Sequence, residues 1–232
     1  MQNAGTRSRL AFWTKLRAGQ LAGQGFERVV LVGHSLGSGV AIDVAVTCPH
    51  DIDGVVLTGV ATKQNEAEFA AQEKDMHPAN QDPRFARLGL DDGYITTKPG
   101  TRSKWFYYRA TMSPATIAQD EAAAQPDALA PSSAPPTSEA PGTPETPDVY
   151  RQIKVPVLIA VGEYDRVVCG GTGSDCSSSA ALQAQEAPRF APSARLRAVV
   201  IPDSGHSINQ QFTAPILFSA IRGWSHRYVA AH

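Results

Sequence analysis

Residues 28–39 read Arg-Val-Val-Leu-Val-Gly-His-Ser-Leu-Gly-Ser-Gly. Four apolar residues, Val29 to Val32, three of them β-branched, spell a buried parallel strand. The small-residue run Gly39–Val46 that follows spells a helix packed closely on a sheet. Between them Gly33 and Gly37 bracket Ser35, and with no Cβ they allow a very tight bend. The segment is therefore strand, sharp turn and helix with a serine at the tip. A serine hydroxyl is a weak nucleophile unless it is lifted off the backbone within reach of a base. The helix that opens at Leu36 directs unpaired N–H groups toward the place where negative charge would gather. A bare Gly-x-Ser-x-Gly has little meaning by itself, and a glycine-rich turn in another α/β domain is the rival reading. The flanking strand and helix give the motif its weight.

This segment resembles the nucleophile elbow of the α/β-hydrolase superfamily in its Gly-His-Ser-Leu-Gly form. Two later segments extend the resemblance. Residues 155–165, Val-Pro-Val-Leu-Ile-Ala-Val-Gly-Glu-Tyr-Asp, look like the strand and loop that carry the acid. Residues 196–206, Leu-Arg-Ala-Val-Val-Ile-Pro-Asp-Ser-Gly-His, look like the last strand and the histidine after it. The order Ser, Asp, His is the order of that fold. The resemblance implies Ser35 as nucleophile, His206 as general base and acid, and Asp165 as the group that orients the imidazole. Glu163, two positions before Asp165, is the competing carboxylate, and the resemblance places the acid at Asp165. His34 lies inside the elbow and is expected to pack beneath it. The backbone N–H of Leu36 is one expected oxyanion donor. The family draws the second from a His-Gly loop ahead of the elbow. No such loop precedes Arg28, because the 27 residues before it are too few for a β-α-β unit of about 30. The resemblance thus implies a partial α/β-hydrolase fold that lacks the N-terminal strands.

Such a fold organises the chain as a core from residues 1–60 and 151–232, with a cap or lid insertion over 61–150. Strands are expected near 28–33, 54–58, 155–161 and 196–201, and helices over 8–24, 36–47, 63–76, 116–124, 178–187 and 212–229. The stretch 126–147 holds seven of the 17 prolines among Ser, Thr and Ala, which reads as an extended linker. Trp105, Phe106 and Tyr108 fall in the densest aromatic patch. They are candidates to line an acyl or alcohol pocket, or else simply pack the cap. With its front strands missing, the elbow strand would have a bare edge, and self-association through that edge is expected.

Composition closes several other routes. Net charge is −1 with no basic block, which gives nucleic acid and anionic membranes nothing to bind. No apolar run approaches the roughly 20 residues of a membrane span. No cofactor is implied, and no second Cys or His pair at ligand spacing supports a zinc site. Cys169 and Cys176 bracket a flexible loop beside Asp165. They read as a disulfide, with reduced thiols or half a metal site as alternatives. Exported bacterial and fungal members of the superfamily resemble the chain in that loop, and disulfides belong to exported proteins. The N-terminus lacks the apolar stretch of a signal peptide, so as written the chain would remain cytoplasmic while its parent would be secreted. The expected function is hydrolysis of a small ester or similar acyl substrate. The alternatives are a catalytically impaired remnant that binds apolar molecules, and a lyase or perhydrolase built on the same three residues.

Overall fold

A computed structural model describes residues 12, 14–21, 23–128 and 147–230 of the 232. In chain order the elements are β1 (Val30–His34), α1 (Leu36–Thr47), β2 (Gly54–Thr58), α2 (Glu66–Lys74), β3 (Met76–Pro78), β4 (Tyr94–Thr97), α3 (Arg102–Phe106), α4 (Pro114–Ala122), β5 (Asp127–Ala128), α5 (Pro147–Gln152), β6 (Val157–Gly162), α6 (Ser179–Glu186), β7 (Arg197–Ile201) and α7 (Ala214–Tyr228). Short 3-10 turns punctuate the connections. The expected helix over 8–24 lies partly outside the described residues, and residues 14–17 of it are helical. Most of the Pro-rich linker, from 129 to 146, also lies outside them.

The main sheet has four parallel strands in the order β1-β2-β6-β7. The two central strands are buried at every position, so their sequences are continuous apolar runs rather than alternating ones. Alternation reappears in what each side chain meets. Val55, Leu57, Val157, Ile159 and Val161 face a core shared with Ala41 and Ile42 of α1, Tyr150 of α5 and Leu182 of α6. Val56, Leu158 and Ala160 face the opposite way, onto Trp224 and Leu217 of α7. Helices therefore cover both faces. Gly54 lets α7 close in, since a Cβ there would stand 2.8 Å from the Trp224 ring. Among the described residues β1 pairs only with β2. Among the described residues no strand covers its outer edge, and Val32 is 56% exposed.

Between β2 and α5 the chain forms a second, antiparallel sheet, β3-β4-β5. No periodicity in residues 61–150 announces it. Its strands are four, three and two residues long, too short for alternation to register. The helix expected over 8–24 ends at residue 17, with 18–21 in a turn and 23–24 in a bend, and the remaining expected elements appear with boundaries moved by three residues or fewer.

One buried carboxylate ties the start of this region to the core. Glu186, at the end of α6, is fully buried. It accepts hydrogen bonds from Thr62 N–H and Thr62 Oγ1, each at 3.1 Å. Burial raises its pKa, against the pull of the Thr62 hydrogen bonds. An acid whose folded pKa lies above its unfolded value destabilises the fold when ionised, so stability rises as pH falls through the folded pKa toward about 4.5. Glu186→Gln keeps both partners, with Oε1 on the N–H and the amide donating to the hydroxyl oxygen. The variant is expected to match or exceed the parent at neutral pH and to lose this pH-dependent gain. Glu186→Ala leaves the Thr62 N–H buried and unpaired, at a cost of about 2 kcal/mol. Urea midpoints measured from pH 4 to 8 check both, and a Gln variant with the parent's pH slope would refute the assignment.

Candidate active site

The elbow is built where β1 meets α1. Ser35 has φ 51° and ψ −120°, a left-handed conformation costly for a residue with a Cβ. The bend is close enough that a Cβ on Gly33 would stand 2.5 Å from Gly37 O and Ser38 Cα. Thr58, at the end of β2, fixes the turn from below. Its carbonyl accepts from Ser35 N–H at 2.9 Å and from Ser38 Oγ at 3.0 Å. Its hydroxyl donates to Gly33 O at 3.0 Å. That use of the hydroxyl proton leaves Oγ1 as an acceptor toward His34 Nδ1, also at 3.0 Å. His34 therefore carries its proton on Nδ1. Leu36 opens α1, and its N–H is one of those a helix leaves without an internal partner.

His206 sits in the loop after β7, and Asp165 in the loop after β6. Both are buried, at 2% and 0% exposure. His206 Nδ1–H donates to Asp165 Oδ2 at 2.8 Å, which leaves Nε2 as the free basic nitrogen. Burial works to lower the His206 pKa, but the charge and hydrogen bond of Asp165 outweigh it and leave the imidazole above its ordinary value. Glu163 points elsewhere, with Oε2 accepting from Asp203 N–H at 3.0 Å.

The elbow and the histidine loop meet. The rings of His34 and His206 have centroids 4.9 Å apart. Desolvation, then repulsion from His206, takes the His34 pKa down to about 4. The residue as a whole is exposed, which tempers the first cause, whereas the repulsion acts directly across the ring contact. His34 lies against His206 rather than beneath the turn. Gly59 fits beside both rings because it has no side chain. A Cβ there would stand 2.9 Å from His206 Cε1 and 3.0 Å from His34 Cε1. Among the described residues Ser35 Oγ makes no hydrogen bond.

The histidine loop is clamped from the other side by residues 106–108. Phe106 stacks on His206 with centroids 5.9 Å apart, and its carbonyl accepts from Ser207 N–H at 2.7 Å. Gln211, 3% exposed, bridges the two segments. Its Oε1 accepts from Tyr108 N–H at 2.9 Å and Gly205 N–H at 3.1 Å, and its Nε2 donates to Ser204 Oγ at 2.9 Å. Thr58 and Gln211 were not picked out in the sequence, because each acts on a partner far along the chain.

The model of the alpha/beta hydrolase family matches residues 6–216. The chain belongs to that family. No curated protein matches the chain significantly. Several solved structures share its fold. A thermophilic esterase from Thermogutta terrifontis is 21% identical with a TM-score of 0.52, over 88% of this chain and 66% of its own. A monoglyceride lipase from Saccharomyces cerevisiae is 14% identical with a TM-score of 0.57, over 100% of this chain and 72% of its own. A meta-cleavage product hydrolase from Pseudomonas fluorescens is 15% identical with a TM-score of 0.50, over 87% and 65%. The chain thus spans about two thirds of the length of these proteins.

In this alpha/beta hydrolase the aromatic patch serves several separate purposes. Trp105 is 1% exposed and packs in the core, donating its Nε1–H to Asp75 at 2.8 Å. Phe106 covers His206. Tyr108 stacks on Tyr164 with centroids 3.9 Å apart. These two tyrosines line an open groove of about 640 Å³ that also touches Asp165 but neither Ser35 nor His206. A smaller cavity of about 100 Å³ lies on the elbow side, walled by His34, Thr58 and Ser207–Gln210. Its wall includes His34, the residue before the serine. Cys169 and Cys176 are joined as a disulfide beside Asp165. Among the described residues no cluster of His, Cys, Asp or Glu converges to hold a metal, and no helix is long and apolar enough to cross a membrane.

Proposed function

We propose that this chain is a serine hydrolase that cleaves carboxylic esters or related acyl compounds through Ser35, His206 and Asp165. The observation that carries the reading is the buried hydrogen bond between His206 and Asp165, set against the elbow through the His34 ring. It leaves a free, strengthened base at Nε2, which in this reading serves the strained serine of the elbow. Two fold relatives, an esterase and a monoglyceride lipase, support the same class of substrate.

Ser35 Oγ attacks the carbonyl carbon while His206 Nε2 takes its proton. The carbonyl oxygen gathers negative charge and is met by the Leu36 N–H. His206 then gives the proton to the departing alcohol as the C–O bond breaks. Water attacks the acyl-serine, passing its proton to Nε2, and the acid product leaves with Ser35 restored. The Ser35–His206 hydrogen bond, not formed in the unliganded arrangement, closes in the substrate complex, as is common for catalytic contacts.

A second reading, a non-catalytic binding protein, is favoured by that same open serine and by the 2% exposure of His206. A fluorophosphonate probe separates the two. Covalent labelling that disappears in Ser35→Ala supports the hydrolase. Absence of labelling in the folded protein supports the binder. Product analysis with esters, cyanohydrins and peroxide decides between hydrolase, lyase and perhydrolase.

A further inference from the structure

The loop between β6 and α6 contains a covalent bond that the proposed chemistry does not use. Cys169 stands four residues after Asp165 and is joined to Cys176. Asp165 through Cys169 forms a single hydrogen-bonded turn. Cys169 N–H donates to Asp165 O at 2.8 Å and Val168 N–H to the same oxygen at 3.3 Å. Val167 N–H donates to the carboxylate itself, at Oδ1, at 3.3 Å. The disulfide fastens the far end of this turn to Cys176, which is buried in the main core.

The loop it closes is tightly seated. Ser174 N–H donates to Val168 O at 2.7 Å and Gly170 N–H to Ser174 O at 3.1 Å. A Cβ on Gly173 would stand 2.3 Å from Val168 O. The loop also grips the chain just before α2. Asn65 N–H donates to Val167 O at 2.9 Å, Asn65 Nδ2 to Cys169 O at 3.2 Å, and Ser174 Oγ to Lys63 O at 3.1 Å.

We propose that Cys169 and Cys176 are positioning residues, whose bond locks the Asp165 turn so that the carboxylate meets His206 in the required orientation. The inference rests on the proposed function for its effect on turnover, but not for its effect on His206. Asp165 Oδ1 is spoken for by Val167 N–H, so Oδ2 reaches His206 only while that turn keeps its shape. With the disulfide open, the turn is held by hydrogen bonds alone, at the rim of the 640 Å³ groove that both cysteines line. The groove also gives a small dithiol access to the bond. One dithiol thiolate attacks a protein sulfur, the S–S bond breaks, and the second thiol closes the reagent into a cyclic disulfide. Two electrons and two protons end on Cys169 and Cys176.

The experiment treats the full chain with dithiothreitol and counts thiols, which rise from the single buried Cys48 to three. Ester turnover, far-UV circular dichroism and the NMR titration of His206 are then followed. The charged or titratable groups facing His206 are Asp165, in the loop after β6, and His34, at the end of β1, so the titration reports whether Asp165 is still in place. Reduction is expected to lower kcat by about 10- to 100-fold, the scale of an ångström-sized misplacement, with KM little changed. The His206 titration should move to lower pH while the dichroism holds, and reoxidation should restore both. The double variant C169S/C176S should reproduce the reduced state, and Cys48→Ser should leave turnover unchanged. Three free thiols with an unmoved His206 titration would overturn the proposal. So would loss of secondary structure together with activity, since the bond would then hold the fold rather than the acid. If the oxidised protein fails to label at Ser35, the proposed function fails, and the His206 titration still decides the role of the bond.

Discussion

Asp165→Asn is expected to lower ester turnover about ten-thousand-fold, the loss seen when the orienting acid of a serine hydrolase becomes an amide, and to leave the fold intact. The local geometry determines why. In the parent, Oδ1 accepts from Val167 N–H and Oδ2 accepts from His206 Nδ1–H. Asparagine keeps its oxygen on Val167 N–H, which turns its NH₂ toward His206. An amide donor facing Nδ1 requires that nitrogen to carry the lone pair and moves the proton to Nε2. Nε2 then cannot accept a proton from Ser35. The charge is lost as well. Asp165 is what raises the His206 pKa against burial, and without it burial alone acts and the pKa falls. In the parent, kcat/KM should fall as pH drops through a value above the ordinary 6.5 of histidine. The residual activity of the variant should have its acid limb at lower pH. Stability carries the matching sign. A raised histidine pKa stabilises fully below 6.5, and this contribution fades as pH rises through the folded value, so the variant should lose stability mainly at acid pH. Pre-steady-state and steady-state ester hydrolysis from pH 5 to 9, with urea melts over the same range, test each part. A variant within tenfold of the parent would mean that Asp165 does not orient the base.

The parts of this site that could be read from the sequence are the local ones. Ser35 lies in a strand-turn-helix only a dozen residues long, so Gly33, Gly37 and the apolar run before them announce it together. Asp165 and His206 each follow a strand that is apolar at nearly every position, and the ends of such strands can be found from composition alone. The choice between Asp165 and Glu163 could not be made from spacing. It follows from the loop fold, which turns Glu163 onto Asp203 N–H. The aromatic run from Trp105 shows the limit most clearly. α3 ends within it at Phe106, so neighbouring side chains leave in unrelated directions, one to the core, one to His206, one to Tyr164. Thr58 and Gln211 were silent because each joins segments that lie tens of residues apart. Tyr108 and Gln211, for example, are 103 positions apart. A polar residue that closes a long-range hydrogen bond has no periodicity to betray it.

Gly162→Ala is expected to cost about 3 kcal/mol or more in stability, at the upper end of overpacking substitutions, and to remove most activity from the fraction that still folds. Gly162 is the last residue of β6, three before Asp165. A Cβ there would stand 2.1 Å from Gly205 O and 2.4 Å from Ser204 O, distances that no real contact reaches. The obstacles are backbone atoms of the loop that carries His206, so no side chain can rotate away. That loop cannot retreat either, because its far side is already in contact. A Cβ on Gly205 would stand 2.6 Å from Tyr108 N and 2.7 Å from Tyr107 C, and Gln211 ties the same backbone to Tyr108. Acid strand, histidine loop and residues 107–108 are thus stacked backbone on backbone, with a glycine at each join. An added methyl must break the Tyr164 N–H to Ser204 O bond of 2.8 Å or push His206 away from Asp165. Either movement separates His206 from Asp165, the pair to which the proposed function assigns turnover. Gly205→Ala should act in the same direction, and the double variant should lose less than the sum of the two, because the first substitution already lifts the loop that the second would strike. Thermal melts of the single and double variants, read beside the His206 titration, test this. A Gly162→Ala protein with the parent's melting temperature and an undisturbed His206 would show that the loop has room the packing denies it.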